Sequence, residues 1–266
     1  MIRVFSGKQE TSANNYLELV WTLAKTDFKM RYHGSALGYV WAILKPLFIF
    51  LILNFVFSRM IGRGAAIPHY SLQLITGIIL WNFFAEASMA GLISLLKKSS
   101  LITKIYFPRW IVVVASTLNS LFVFGMNLII LTVFFAYYQV TPGPAALLTA
   151  AAYVLGIYVL VVSFSLIAAP LYLKFRDLEQ IWEVVLQVLF FAAPIVYPLS
   201  VIPEQYHKIM LLNPIGIIIH YAKIVLIEGR FPSVANHVIL MAMLVALAGV
   251  SVIYFKKVHR KIAEDV

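Results

Sequence analysis

Apolar residues in this chain fall in long runs separated by short polar breaks. A helix rises about 1.5 Å per residue and a hydrocarbon core is about 30 Å thick, so roughly 20 apolar residues in succession make one crossing. Such runs extend from about Leu37 to Phe57, Leu72 to Leu96, Trp110 to Tyr138, Ala145 to Leu173 and Val234 to Phe255. A further one begins near Ile181 and meets Pro194 and Pro198. The third and fourth runs are the clearest. Between Arg109 and Lys174 lie 64 residues without an Asp, Glu, Lys or Arg, broken once by Gln139-Val140-Thr141-Pro142-Gly143-Pro144. That stretch fits two crossings joined by a tight turn. The pattern therefore predicts an all-α integral membrane protein with six transmembrane helices.

Two segments have a different periodicity. Over residues 14–32, Leu17, Val20, Trp21, Ala24 and Phe28 fall on one side of a helix and Glu18, Thr22, Lys25 and Lys29 on the other, with Asn14 or Asn15 as the cap. The spacing predicts an amphipathic helix lying in the membrane interface, since a soluble core on which it could pack is not in evidence. Between the fifth and sixth spans, Ser200–Ser233 contains the apolar stretch Gly216–Ile227, which is too short to cross, and Pro203 and Pro214 divide it. Apolar runs of about 10–14 residues are more often re-entrant or interfacial. Short re-entrant or extracytoplasmic helices, dipping into the outer leaflet, are expected here.

Composition supports the membrane assignment. Hydrophobic residues make up 62% and charged residues 12%, against about 45–50% and about 25% in soluble domains. A net charge of +10 would suggest nucleic acid in a soluble protein. Here the basic residues bracket apolar runs, which points to membrane-surface charge and no nucleic acid. Their distribution also orients the chain. Arg3, Lys8, Lys25, Lys29 and Arg31 precede the first span, and Lys97, Lys98, Lys104 and Arg109 follow the second. Lys174 and Arg176 follow the fourth, and Lys256, Lys257, Arg260 and Lys261 follow the last. Only Arg59, Arg63, Lys208, Lys223 and Arg230 fall to the other side, which places both termini inside. Domains follow: 1–36 as cytoplasmic N-terminus with the interfacial helix, 37–255 as transmembrane domain, 256–266 as basic cytoplasmic tail. The first fifteen residues are polar, so no cleavable signal peptide is expected.

Catalytic chemistry is hard to assemble from this sequence. It has no Gly-x-x-x-x-Gly-Lys-Ser/Thr phosphate loop, no dinucleotide fingerprint and no His-Glu-x-x-His pair, so it is not expected to hydrolyse a nucleotide. Zero cysteines exclude disulfides and thiolate sites, and His33, His69, His207, His220, His237 and His259 show no ligand spacing. No metal site is expected. The acids are spread over the loops, which argues against a membrane enzyme working by clustered carboxylates.

Ionisable residues inside the bilayer are functional candidates by default. Lys45, followed by Pro46 in the first span, either snorkels to the inner headgroups or meets an anionic lipid carrier. Glu86, among the small residues Ala85, Ala87 and Ser88, suits a buried pairing or a conduit wall. Aromatic residues, 14% of the chain, divide between interfacial belts and rings that stack on sugars. After the second span, Lys97-Lys98-Ser99-Ser100 leads into Leu101, Ile102, Ile105, Tyr106 and Phe107 and ends at Pro108-Arg109. This predicts a short amphipathic helix with a serine cap and a proline stop. It suits either docking of a partner or surface anchoring.

Four stretches together resemble a known family. Arg31-Tyr32, Gly34-Ser35, Leu37-Gly38, Trp41 and Lys45-Pro46 are similar to the opening of permease subunits of ABC-2 type transporters, in particular exporters of O-antigen, capsule or teichoic-acid polymers. Ile102–Arg109, Phe175-Arg176-Asp177-Leu178, and Pro194-Ile195-Val196-Tyr197-Pro198 with Ile202-Pro203 and Leu212-Asn213-Pro214 follow in the expected order. The resemblance implies a multi-pass subunit of the bacterial cytoplasmic (inner) membrane, a homodimer paired with two copies of a separate ATP-binding subunit. ATP and Mg would be bound by that partner, with no cofactor in this chain.

It further implies that Lys97, Lys98, Leu101, Ile102, Lys104, Ile105, Tyr106, Phe107, Pro108 and Arg109, with the N-terminal helix, contact the ATPase. Tyr39, Trp41, Phe48, Phe190, Phe191 and Tyr197 would line a conduit between the two permeases. Arg31, Lys45 and Arg176 would meet a lipid-linked pyrophosphate. An ABC-2 exporter of a drug or small lipid is the alternative. An ion-coupled secondary transporter would usually show inverted repeats and paired midplane charges, and no internal repeat is evident.

Overall fold

The computed structural model describes residues 13–31, 34–60, 67–104, 107–199, 202–203, 205–206 and 212–258, and every regular element among them is helical. Helix α1 covers Ala13–Arg31, and α2 covers Val40–Phe55 and continues through a wide π-helical turn, Val56–Met60. Next come α3 (Tyr70–Leu92), the short helices α4 (Ser94–Lys97) and α5 (Ser99–Lys104), and α6 (Trp110–Tyr137). The chain continues through α7 (Pro144–Lys174), α8 (Leu178–Ala192), α9 (Pro214–Ile227) and α10 (Val234–Val258).

The long apolar runs became the long helices, with ends shifted by a few residues. Backbone groups in hydrocarbon must be satisfied within their own segment, so an apolar run of crossing length has little choice but helix. Turn chemistry sets the breaks. Gln139, at φ 55°, reverses the chain between α6 and α7, and Pro144 occupies the first turn of α7, where its missing N–H costs no hydrogen bond.

Helix α3 is the axis of the molecule. Each residue from Leu72 to Trp81 is buried, and α6, α7, α9, α2 and α8 surround it. At Gly91 the approach is closest: a Cβ there would meet Ser165 Oγ, lie 2.5 Å from Ser165 Cβ on α7 and 3.0 Å from Thr117 Cγ2 on α6. Only glycine permits three helices to meet this tightly. The periphery is different. In its apolar window α3 is 72% buried, whereas α2 is 17% and α10 22%.

Two expectations are corrected. Among the described residues five helices, not six, are long and apolar enough to cross a membrane. The exception is the run expected from near Ile181, which forms the 15-residue α8, a length of about 22 Å. Pro194 is the cause. The residue before a proline is pushed to extended backbone, and Ala193, at φ −88° and ψ 150°, ends the helix there. The N-terminal helix also has protein to pack on. Val20 and Ala24 are buried against Ile111 and Ala115 of α6, and Trp21 and Phe28 meet Phe122 edge-on at 5.3 and 5.5 Å. Leu17 and Trp21 remain more than half exposed.

Candidate functional site

Charged groups converge at one end of the bundle, where α1, α3, α4, α6 and α8 meet around a cavity of about 780 Å³. Arg31, the last residue of α1, donates to Glu86 Oε2 of α3 at 2.7 Å. Lys98, between α4 and α5, donates to Asp27 Oδ2 of α1 at 2.6 Å. Lys97, Ser116 and Asn119 complete the polar lining. The two ion pairs tie α1 to α3 and to the junction of α4 and α5, at 55 and 71 residues' separation. Glu86, an expected buried pairing or conduit wall, is thus a partner in an ion pair, one third exposed.

Within the segment after the second span, the short helix is α5, Ser99–Lys104, and Lys98, at φ −111° and ψ 23°, sets it off from α4. Ile102 and Phe107 pack on a buried cluster of Leu95, Val112, Val113, Leu166, Ala169, Leu173 and Phe255. Lys97 and Lys104 are exposed and Leu101, Pro108 and Arg109 half-buried. Ile105 and Tyr106 lie outside the described residues. The segment is held between α1, by Lys98, and the start of α6, which follows Pro108-Arg109 directly.

The expected anionic-carrier contacts sit on three different elements. Of the three, Arg31 lines the charged cavity. Lys45 is exposed on α2, and Arg176 is exposed in the turn between α7 and α8, with its guanidinium 5.8 Å from the centre of the Tyr172 ring. Tyr172 donates to Glu179, which fixes that turn against the start of α8.

Rings expected along a conduit occupy two uncovered helix faces. On α2, Trp41 and Phe48, seven residues apart and so on one face, are 39% and 51% exposed. Tyr39, at the start of α2, stacks on Phe28 of α1 at 5.0 Å. On α8, Phe191 is 61% exposed, while Phe190 turns inward against Trp81 at 5.9 Å. Trp182 fastens α8 to α3 by donating to Ser88 Oγ at 3.1 Å.

Beyond α8 the chain leaves helix at Ala193, and Ala193–Val196 is buried. Backbone carbonyls at such a place need donors. Lys223 of α9 supplies two, donating to Pro194 O and Ile195 O at 2.7 Å each, and Tyr70 donates to Val196 O at 2.8 Å. Tyr197 folds back to donate to Phe191 O. The pattern of loop charges had placed Lys223 outside with Arg230. It is in fact 4% exposed, and its stem fills the space over Gly77, where a Cβ would lie 2.8 Å from Lys223 Cε. A signal was available, because Lys223 is the one charge within an otherwise apolar Gly216–Ile227.

A cavity of about 970 Å³ lies toward the other end, between α3, α6, α7 and α9 beside the Gln139–Pro142 turn, and its walls are apolar apart from Thr76, Thr132, Gln139 and Thr141. It has no ionisable side chain with which to do chemistry. No group of three or more His, Cys, Asp or Glu is placed to hold a metal among the described residues.

Comparison with known proteins adds the following. Residues 18–227 match the family model described as ABC-2 type transporter. The O-antigen export system permease protein RfbA of Klebsiella pneumoniae is 29% identical over 209 residues, which is 79% of this chain and 80% of that protein. RfbA of Myxococcus xanthus is 26% identical over 254 residues, 94% of this chain and 96% of the relative. The polysialic acid transport protein KpsM of Escherichia coli is 24% identical over 207 residues, 76% and 79% of the two chains.

Proposed function

The chain belongs to the ABC-2 type transporter family, and from that premise we propose that it is the permease subunit of an ATP-driven exporter of a lipid-linked polysaccharide. The observation that carries this reading is the breadth of the similarity. Relatives named for O-antigen export and polysialic acid transport match over 76–94% of the chain, so the match takes in most of the helical frame rather than one motif. The five long apolar helices support a multi-pass membrane location. Both termini are cytoplasmic on the charge bias of the loops, and the inner membrane is the location that the family reading implies.

The mechanism assigns the work to a partner. An ATP-binding subunit, two copies to two permeases, closes on ATP with its Mg and presses on the Lys97–Arg109 segment. That segment has two rigid attachments. Ile102 and Phe107 are bedded in the cluster that joins α6, α7 and α10, and Lys98 reaches α1. A push therefore moves α1 and the base of α6 together, and the Arg31–Glu86 pair carries it to α3. The two copies enclose the conduit with the uncovered faces of α2 and α8, where Trp41, Phe48 and Phe191 stand exposed. Aromatic rings suit a passing glycan because many weak stacking contacts hold it without trapping it. Arg31, Lys45 and Arg176 receive the pyrophosphate of the carrier lipid, Arg31 by exchanging the carboxylate of Glu86 for a phosphate.

The test is deletion of the gene and analysis of lipid-linked glycan. Undecaprenyl-linked polymer should accumulate inside the cell and disappear from the surface, and reintroduction of the gene should restore export. Normal surface glycan in the deletion strain would exclude the polysaccharide.

A further inference from the structure

Among the described residues, four buried side-chain atoms have no hydrogen-bond partner: Asn119 Oδ1, Ser120 Oγ, Asn127 Oδ1 and Asn213 Nδ2. Three of them lie on α6. Ser120 and Asn127 are seven residues apart, on the same face of the helix, and are only 2% and 5% exposed. Both line a small internal cavity of about 10 Å³ together with Ala42 and Pro46 of α2 and Glu86 of α3. Asn119 lines the large charged cavity, to which Glu86 also belongs. Glu86 is therefore the junction between the two spaces.

The small cavity has a polar wall. It offers the Ser120 hydroxyl, the Asn127 amide oxygen, the side-chain amide of Asn82 and the Glu86 carboxylate, whose Oε2 already accepts from Arg31. Pro46 adds to this, because it has no N–H and so leaves the Ala42 carbonyl, four residues earlier, without its helical donor. Ser120 Oγ and Asn127 Oδ1 are left without a partner in the protein, and buried polar atoms left unpaired are strongly disfavoured. A ligand able both to donate and to accept answers them, and it must be small. About one probe sphere, roughly 10–15 Å³, admits a single water, which needs two to four polar partners.

We propose that ordered water occupies this seam, seated between Ser120, Asn127, Glu86 and the Pro46 break of α2, and continuous through Glu86 with water in the charged cavity. From Ser116 to Asn127 the seam follows α6 for about 17 Å. The contact of α2 with α6 is thereby wet along its inner half, bridged by exchangeable hydrogen bonds instead of interdigitated apolar groups. A helix seated in this way slides by exchanging water partners, without opening a void in close-packed side chains. The site stands whatever substance the protein moves.

Radiolytic hydroxyl footprinting of the full chain in nanodiscs tests it, since bound water generates radicals in place. Phe83 and Phe124 line the small cavity and are 3% and 5% exposed. Phe50 and Phe255, at 5% and 7%, are equally buried rings of the same chemistry away from it. Phe83 and Phe124 should be modified several-fold faster than Phe50 and Phe255, and the Ser120→Ala, Asn127→Leu double variant should bring them to the same rate. Rates in the wild type that match the two controls would show the seam dry and overturn the proposal. Fast modification that persists in the double variant, or in Ser120→Ala alone if the double variant does not fold, would place the water elsewhere and overturn it equally.

Discussion

Replacing Lys223 with Met removes two donors and keeps nearly the same volume. Both acceptors, Pro194 O and Ile195 O, are at 2.7 Å and lie in a buried stretch of non-helical backbone. No other donor to either carbonyl is present among the described residues. An orphaned buried acceptor costs about 1–3 kcal/mol, so two cost about 2–6 kcal/mol. Desolvation of an ammonium that has no carboxylate beside it offsets part of this, which leaves an expected net loss of about 2–4 kcal/mol. Reversible unfolding by SDS in mixed micelles measures it, with glycan export assayed in parallel. The same contact can be strained from the other side, since a Cβ on Gly77 would lie 2.8 Å from Lys223 Cε and 3.1 Å from Nζ. Gly77→Ala should therefore also destabilise, and the double variant should lose less than the sum, because both changes break one contact. A Lys223→Met protein within about 0.5 kcal/mol of wild type would behave like an ordinary surface substitution and refute the reasoning.

Other outcomes follow from the same geometry. Gly91→Ala places a methyl against Ser165 and Thr117 and should lower stability by about 1–3 kcal/mol, as overpacking does, measured in the same unfolding assay. Arg31 and Glu86 are each about one third exposed, so their pair contributes at most about 1 kcal/mol. Its role is read by function: Arg31→Glu or Glu86→Arg should impair export and the swapped pair should recover part of it, the phosphate contact of Arg31 being lost, and a double variant no better than either single would deny that the pair transmits movement. Ala in place of Tyr106 and Phe107 should leave membrane insertion intact and uncouple ATP turnover from export; full transport would reduce the segment to an anchor. Phe191→Ala, which removes the exposed ring of α8, should slow polymer passage with the dimer preserved, and an unchanged rate would return that ring to the lipid belt.

Most of the frame was legible because hydropathy and proline act locally. The expected runs Trp110–Tyr138 and Ala145–Leu173 became Trp110–Tyr137 and Pro144–Lys174, ended by the turn residues that separate them. What escaped depended on distance along the chain. Nothing near Glu86 names Arg31 as its partner 55 residues away, and nothing in the amphipathic pattern of α1 reveals the Ile111 and Ala115 surface that receives it. Lys223 was missed for another reason. The tally of loop charges weighs position relative to spans, whereas a lone lysine inside an apolar helix should be weighed by the desolvation it must overcome. By that measure it ranks beside Lys45, and the structure separates the two: Lys45 is exposed and Lys223 is committed to a backbone loop. Of the candidate site, exposed aromatics on α2 could be anticipated. The inward turn of Phe190 and the break at Lys98 required the tertiary structure.

The shortness of α8 bears on the lipid around the protein. A 15-residue helix reaches about 22 Å, some 8 Å less than an undisturbed hydrocarbon core. Set across a bilayer, it would draw the acyl chains beside it to splay or shorten at the turn at Arg176-Asp177 and at the loop at Pro194. The lipid on that flank would then be thinner than elsewhere around the protein.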